Sequence, residues 1–160
     1  MDLLKEMEEL AFASRLKRLS DRLMQDVAQL YKAYEIDFES RWFPIFYLLK
    51  DGESRSIVDI AKEIGVSHPA VNQLSNEMLE RGLIISEKNQ KDKRKRFLRI
   101  SKKGQSVITQ LEILWCEISV CMNRFLGKDK KIIFRILNNL EAQLDEESIQ
   151  SRVTKTLNEK

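Results

Sequence analysis

The sequence predicts a mainly α-helical protein carrying one small β-hairpin, and three observations carry the prediction. Glycine and proline are scarce, five and two in 160 residues, while a third of the chain is charged; this is the composition of a helix-rich soluble chain. Two short amphipathic segments meet at a tight glycine turn between Ser56 and Gly82. Directly after them, from Leu83 to Ser101, β-branched residues give way to an alternating apolar and basic run that reads as two short strands.

Residues 3–34 contain neither glycine nor proline and are expected to form one long helix. Leu16, Leu19, Leu23, Val27, Leu30 and Tyr34 mark its inner face, which Leu3, Leu4, Met7 and Leu10 extend upstream. Its length exceeds what a small domain needs to cover its core, so the excess apolar surface is expected to pair with a second copy of the chain. The same segment is too acidic and amphipathic for a secretory signal. No apolar run approaches the length that spans a bilayer. A cytoplasmic protein with no membrane partner is expected.

Residues 35–52 hold the most aromatic stretch, with Trp42, Phe43, Phe46 and Tyr47 beside Leu48. Pro44 cannot sit in a helix interior, so this helix either begins near Arg41 or kinks there. The aromatic side chains are open to two readings: packed core where a helical arm meets a neighbouring lobe, or one wall of an effector pocket. Asp51 and Gly52 close the element with a turn.

The next helix starts at Ser56, whose hydroxyl can cap it, with Asp59 three residues on in a variant of the capping box. Ile57, Ile60, Ala61 and Ile64 line its apolar face, and Gly65 stands where a left-handed residue is needed to stop it. Ser67 caps the following helix, Pro69 lies in its first turn, and Gly82 ends it after Arg81. Val71, Leu74 and Met78 are its expected core anchors. The opposite face carries Pro69, Asn72, Gln73, Asn76 and Glu80. Asparagine and glutamine can both donate to and accept from an adenine edge, and the major groove admits a helix. A solvated polar face would look the same, so the neighbouring hairpin decides.

Leu83 to Ile85 suit one strand and Arg96 to Ser101 the returning one, with the hairpin tip near Asn89 to Lys95. Between Ser86 and Lys103 nine residues are basic and two, Glu87 and Asp92, are acidic, a net +7 in a chain whose total is +3. The remainder is therefore about −4, and the positive charge is concentrated in one hairpin. A local excess of this kind is the electrostatic footprint of phosphate binding. The helix face and the hairpin together nominate Ser67, His68, Pro69, Asn72, Gln73, Asn76, Lys91, Asp92, Lys93, Arg94 and Arg96 as DNA contacts.

Ser101 can cap a helix running to about Leu126. Val107, Leu111, Leu114, Ile118, Cys121 and Phe125 form one apolar stripe, and Ile108, Trp115 and Met122 a second. Two stripes imply cover on more than one side. Gly127 breaks this helix. The next, from Lys128 or Asp129, presents Ile133, Leu137, Leu140 and Leu144. Ile149, Val153 and Leu157 suggest a weakly amphipathic final helix.

The segment VSHPAVNQLSNEMLERGLI, the triplet Asp92-Lys93-Arg94 and the closing ISKKG resemble the multiple-antibiotic-resistance regulator (MarR) family, a family of winged helix-turn-helix transcriptional regulators. Asp92 and Arg94 match the Asp-x-Arg element of that family's wing. Ile100, Ser101 and Gly104 match its Leu-Thr-x-x-Gly close, with two replacements. The resemblance implies a helical dimerisation region over 1–36 and 105–160 and a winged DNA-binding lobe over 37–104. It implies that the helix from Ser67 lies in the major groove, that Arg94 reaches the minor groove, and that Asp92 orients the wing's basic side chains. It also implies a homodimer on a pseudo-palindromic operator of double-stranded DNA. A small aromatic or phenolic ligand would bind near the junction, where Trp42, Phe43, Phe46, Tyr47 and Trp115 are the candidate pocket residues.

Enzymatic chemistry is poorly represented. The sole histidine, His68, stands at a helix start, and no Cys-x-x-Cys, His-Glu-x-x-His or phosphate-cradling glycine loop is present. No metal or cofactor is expected. Cys116 and Cys121 lie five apart on one helix and point about 140° apart, so they are expected to be buried, inert thiols in preference to a redox pair bridging two subunits. Two further readings stand beside the dimeric regulator. One is the DNA-binding module of a longer chain with an acetyltransferase domain behind it. The other is a winged protein-interaction adaptor, which the basic hairpin disfavours.

Overall fold

The computed structural model describes residues 2–88 and 96–159. The chain opens in three pieces, in place of the single helix expected over 3–34: α1 (Leu3–Glu6), a 3-10 turn (Glu8–Ala11) and α2 (Phe12–Ala33). The interruption falls at Glu8, whose φ of +42° is a left-handed conformation that no residue of a continuous α-helix adopts. Both arms of the Arg18 guanidinium donate to Asp2 at 3.0 Å. Sixteen residues of uninterrupted helix would hold these two side chains about 24 Å apart, so this bidentate pair requires the break. Apolar periodicity runs through Met7 and Leu10 regardless, which is why the sequence does not reveal it.

The inner face expected for the first helix is also revised. Tyr31 and Ala11 are buried, whereas Leu16, Leu19 and Tyr34 are exposed, Tyr34 at 62%. The helix ends at Ala33, and Glu35 turns the chain away with φ +55°. Tyr34 is therefore a C-cap residue outside the helical register.

Tyr31 begins an aromatic cluster that continues through Phe38, Trp42 and Phe46. Ring centroids lie 5.4 Å apart for Tyr31–Phe38, 5.7 Å for Phe38–Trp42 and 5.0 Å for Phe38–Phe46, spacings at which edge-on and tilted rings attract. Trp42 closes a 3-10 turn (Ser40–Trp42), and α3 (Phe43–Leu48) carries Pro44 in its first turn, where its missing N–H costs nothing.

The winged unit follows. β1 (Arg55–Ser56) leads without a linker into α4 (Ile57–Ile64). Ser56 Oγ accepts from the Asp59 amide at 3.1 Å and donates to the Asp59 carboxylate at 2.6 Å, so the capping variant closes on the serine hydroxyl. Gly65 ends α4 at φ +67°, and α5 (His68–Glu80) starts on Ser67, whose Oγ accepts from the Ala70 amide at 3.4 Å. Val71 and Met78 are fully buried as expected. Leu74 is only half-buried, and Ser75 is fully buried beside it. The hydroxyl of Ser75 has no hydrogen-bond partner among the described residues. An unsatisfied buried hydroxyl contributes nothing to offset its desolvation. Ser75→Ala is accordingly expected to leave stability unchanged or raise it by up to about 1 kcal/mol in a urea melt, helped by alanine's helix propensity. A loss of more than about 1 kcal/mol would mean the hydroxyl is satisfied by water.

β2 (Ile84–Lys88) and β3 (Arg96–Ile100) form the predicted hairpin, but the sheet has a third member. β1 pairs antiparallel with the other edge of β3, giving the order β1-β3-β2. A two-residue strand is too short to carry an alternating pattern, so only the hairpin was legible. Leu98 and Ile100 point into the core together with Leu83 and Ile84. Ser101 then starts α6 (Lys102–Leu126) by accepting from the Gly104 amide at 2.9 Å, while donating to the Gly82 carbonyl at 2.6 Å.

The chain divides into two compact units, Met1–Glu112 and Ile113–Lys160. The first contains the aromatic cluster, the winged segment and the start of α6. The second holds the rest of α6, a 3-10 turn (Gly127–Asp129), α7 (Lys130–Glu146) and α8 (Ile149–Asn158), which Ser148 caps by accepting from the Ser151 amide at 3.2 Å. No residue of α7 or α8 is buried, and Phe125 near the end of α6 is 66% exposed. Cys116 and Cys121 are both exposed free thiols, against the expectation of buried ones: Cys116 lies off the apolar stripes, and the stripe that carries Cys121 is buried at Leu111 and Leu114 but exposed at Cys121 and Phe125.

Candidate nucleic-acid interface

The outer face of α5 and the root of the hairpin come together as one surface. Ser67, His68, Pro69, Gln73 and Asn76 are exposed on α5, and Asn72 is half-buried. The Asn72 amide nitrogen lies 3.2 Å from His68 Nδ1, a contact in which the amide donates when the imidazole proton is on Nε2. Arg96, the first residue of β3, reaches across to α5. Its Nη1 donates to Asn76 Oδ1 at 2.9 Å and its Nε to Ser86 Oγ at 3.1 Å. Of the hairpin candidates, Lys91, Asp92, Lys93 and Arg94 lie outside the described residues.

Arg99, two residues on from Phe97, faces Glu87 of β2 as an ion pair. The hydrogen bond from Arg99 holds the Glu87 carboxyl below the usual carboxylate range, with a further contribution from Ser54. One arginine of the basic run is thus paired within the sheet, and another is tied to the helix. Both contacts are exposed, so each is modest in energy.

The inner side of α5 is fastened by Glu77 and Arg81, neither of which the sequence assigned a partner, and by Trp42, which it read only as core or pocket wall. Glu77 Oε2 accepts from Trp42 Nε1 at 2.8 Å and pairs with Arg41 at 3.1 Å. Arg81 pairs with Asp37 at 2.5 Å, with its guanidinium 6.0 Å from the Trp42 ring centre. Lys103 Nζ donates to the Arg81 carbonyl at 2.8 Å, which is the C-terminal, electronegative end of the helix. Glu77 and Arg81 stand four apart on α5, the spacing of neighbours on one face. Their partners at 37–42 are remote in sequence and carried no signal.

The residues proposed for an effector pocket do not share one environment. Trp42 and Phe46 are buried in the aromatic cluster. Phe43 and Tyr47 are partly exposed and pair with each other at 5.3 Å, with Lys50 Nζ 4.3 Å above the Tyr47 ring. Trp115 belongs to the Ile113–Lys160 unit and is half-buried. An open cleft of about 420 Å³ lies along Ala28, Lys32, Glu35, Ile36, Asp37, Phe38 and Glu39, apart from the five aromatic candidates. Among the described residues no cluster of His, Cys, Asp or Glu could hold a metal ion, and no helix is long and apolar enough to cross a membrane.

A capped helix pair joined by a left-handed glycine turn, closed by a three-stranded antiparallel sheet, defines a winged helix-turn-helix protein. Residues 36–95 match the sequence model of the MarR family, so the winged segment is similar to that family of transcriptional regulators. The HTH-type transcriptional regulator Hpr of Bacillus cytotoxicus is 32% identical over 110 residues, covering 65% of this chain. The chain spans 57% of that relative's length. Two solved structures share the fold at lower identity. A MarR/EmrR family transcriptional regulator from Acinetobacter sp. ADP1 aligns with a TM-score of 0.70 at 18% identity, covering 84% of this chain and 95% of that one. The S. aureus MepR–DNA complex aligns with a TM-score of 0.66 at 17% identity, covering 85% and 98%.

Proposed function

We propose that this chain is a sequence-specific, double-stranded-DNA-binding transcriptional regulator that acts in the cytoplasm, as a homodimer, on a pseudo-palindromic operator. One observation carries the reading. The amide-bearing outer face of α5 is exposed beside the root of a hairpin whose sequence concentrates a net +7. Amides suit base edges and the charge suits phosphates. The fold is shared with a protein solved on DNA, the S. aureus MepR complex.

Dimerisation is supported by apolar residues left exposed along four helices. Leu16 and Leu19 of α2, Phe125 of α6, Ile132 and Phe134 of α7, and Leu157 of α8 are all open in the single chain. A monomer rarely leaves so many large apolar side chains uncovered. A two-fold pair also sets two recognition helices about one DNA turn apart, matching a palindromic site. Release by a small aromatic effector belongs to the same proposal. The cleft at 28–39 offers a cation, Lys32, and an aromatic ring, Phe38, to such a ligand.

The test is selection from a pool of randomised duplex DNA at two salt concentrations. Enrichment of a two-fold site with half-sites about one turn apart is expected. Salt-sensitive retention without enrichment would reduce the role to architectural binding, and no retention at low salt would remove DNA from the account. Within the same assay, Arg94→Ala is expected to weaken binding several-fold and to lower the slope of log K against log salt by about one. An unchanged slope would rule out a phosphate or minor-groove role for that residue.

A further inference from the structure

We infer that His68 is a proton-linked contact: protonation of this one imidazole tightens the chain's hold on DNA as pH falls, and turns over the Asn72 amide beside it. The inference rests on the DNA-binding reading above and adds a regulation to it.

The chain holds a single histidine among 160 residues. Histidine is the side chain whose ordinary charge change falls between about pH 5 and 8. Carboxyls ordinarily titrate near about pH 4, and thiols and the α-amino group near about pH 8. Four carboxyls are held lower still: Asp2 by the hydrogen bond from Arg18, Asp51 by the Glu53 amide, Glu87 by Arg99 and Glu147 by Lys155. A DNA affinity that changes between about pH 5.5 and about pH 7 therefore points to His68.

His68 is the first residue of α5 and is exposed. The first turn of a helix is electropositive and is where phosphates settle. Its Nε2 has no partner among the described residues. The elements packed against α5 are α4, β2 and the 3-10 turn at 40–42, and none brings His68 a counter-charge. Asp59 of α4 is held by Ser56 and Glu63 by Arg55, while Glu87 of β2 is paired with Arg99. Lys62, Lys88 and Arg41 are cations. Glu77 and Glu80 of α5 itself stand two to three turns along the helix, about 13 Å and 18 Å away in axial rise. Of the acids of the winged segment, only Asp92 lies outside the described residues. Counter-charge for an imidazolium is thus left to the DNA.

The contact with Asn72 carries the proton into the site. Asn72 Nδ2 lies 3.2 Å from His68 Nδ1. This is a hydrogen bond only while Nδ1 is bare, with the amide donating and the imidazole proton on Nε2. On protonation Nδ1 becomes a donor, and two donors cannot bond. The amide must exchange its ends, so that Oδ1 accepts from Nδ1–H, or release the ring. In the complex the imidazolium gains phosphate, so the complex holds this proton more tightly than the free chain does. Affinity then rises as pH falls between the two titration points and is level above and below them.

The experiment is fluorescence anisotropy of a labelled duplex carrying the enriched sequence, with the untagged full chain. It is run at about pH 5.5 and about pH 7 over several salt concentrations, with thermal melts at both. Wild type is expected to bind about threefold to tenfold more tightly at the lower pH. Its log K against log salt should steepen by about one for each His68 engaged. His68→Gln keeps a polar side chain that does not titrate, and both differences should vanish. Asn72→Asp places a carboxylate beside Nδ1, so the affinity step should move upward by about half a pH unit or more, whatever the variant loses in affinity as a whole. The single imidazole C2 proton resonance should titrate at higher pH in the complex than in the free chain; it carries the test alone if His68→Gln melts below the assay temperature. The inference is overturned if wild-type affinity is level or falls toward the lower pH. It is overturned equally if His68→Gln keeps the dependence, which would place the proton on another group. An Asn72→Asp step at the wild-type pH overturns the link to Asn72. A wild type that binds no duplex at either pH overturns the DNA-binding function itself, a result separate from these.

Discussion

Gly104→Ala is expected to destabilise the protein by about 3 kcal/mol, near the upper end of what overpacking costs. The cause is local and steric. A Cβ at residue 104 would stand 2.1 Å from the Leu83 carbonyl oxygen, and 3.1 Å from both the Leu83 carbonyl carbon and Ile100 Cγ2. Two of these atoms are backbone and cannot rotate aside. The Leu83 oxygen also accepts from the Ser101 amide at 3.0 Å, so moving it breaks the link that starts α6. For a chain of this size the loss corresponds to roughly 10 °C in melting temperature. A thermal or urea melt checks it. A shift under about 2 °C would mean that the first turn of α6 can slide off Leu83, and that the close approach is not fixed by the fold. The expectation is for stability only: Gly104 touches no residue of the α5 face or the hairpin root.

Trp42→Ala is expected to cost about 3–5 kcal/mol, the range for removing a large aromatic from a filled core. Trp42 is 2% exposed, stacks edge-on against Phe38 and donates to Glu77. Its loss opens a cavity in the aromatic cluster and leaves the Glu77 carboxylate with the exposed Arg41 alone. Trp42→Phe separates the two effects. It keeps most of the packing and removes the indole N–H, so it should cost about 1–2 kcal/mol. Urea melts of both variants make the measurement. If Trp42→Ala lost less than about 1 kcal/mol, the residue would line open space and the pocket reading of the aromatic stretch would return. Because Glu77 and Arg81 sit on α5, loss of Trp42 should also loosen α5, which under the proposed function would be read as weaker DNA binding in whatever fraction remains folded.

The winged segment was largely legible in the sequence because its signals are local. Ser56, Gly65, Ser67 and Gly82 each punctuate the chain through their own backbone or hydroxyl, and all four do so in the structure. The boundaries of α4 and α5 followed from them. What was not legible depends on partners distant in sequence. The break at Glu8 is tied to an Asp2–Arg18 pair. β1 exists only because β3 is beside it, and β3 lies some forty residues further along the chain, with Arg55 opposite Leu98 and Ser56 opposite Phe97. Leu74 is only half-buried because the buried face of α5 runs through Val71, Ser75 and Met78, at i, i+4 and i+7, and the apolar pattern alone passes over the polar Ser75. The residues proposed to face DNA were nominated by type and spacing. The structure adds that Asn76 and Arg96 are in contact, which no spacing argument could supply. Asn72 and His68 are four apart on one helix, so their contact could have been anticipated.

The position of β3 between β1 and β2 has a consequence for how this chain can change over evolutionary time. A hairpin held on one edge alone keeps its register through its own turn, and exchanges in the turn risk a slip that reverses every side chain. Here the returning strand is pinned on both sides, at Leu98 by Arg55 and Ser86 and at Phe97 by Ser56 and Glu87. Its alignment is set by these pairings on both edges. Substitutions within the basic stretch 89–95 are therefore expected to leave the register of β3 in place. The two residues of β1 make the chemistry of the hairpin an adjustable part of the protein, separable from the inheritance of its fold.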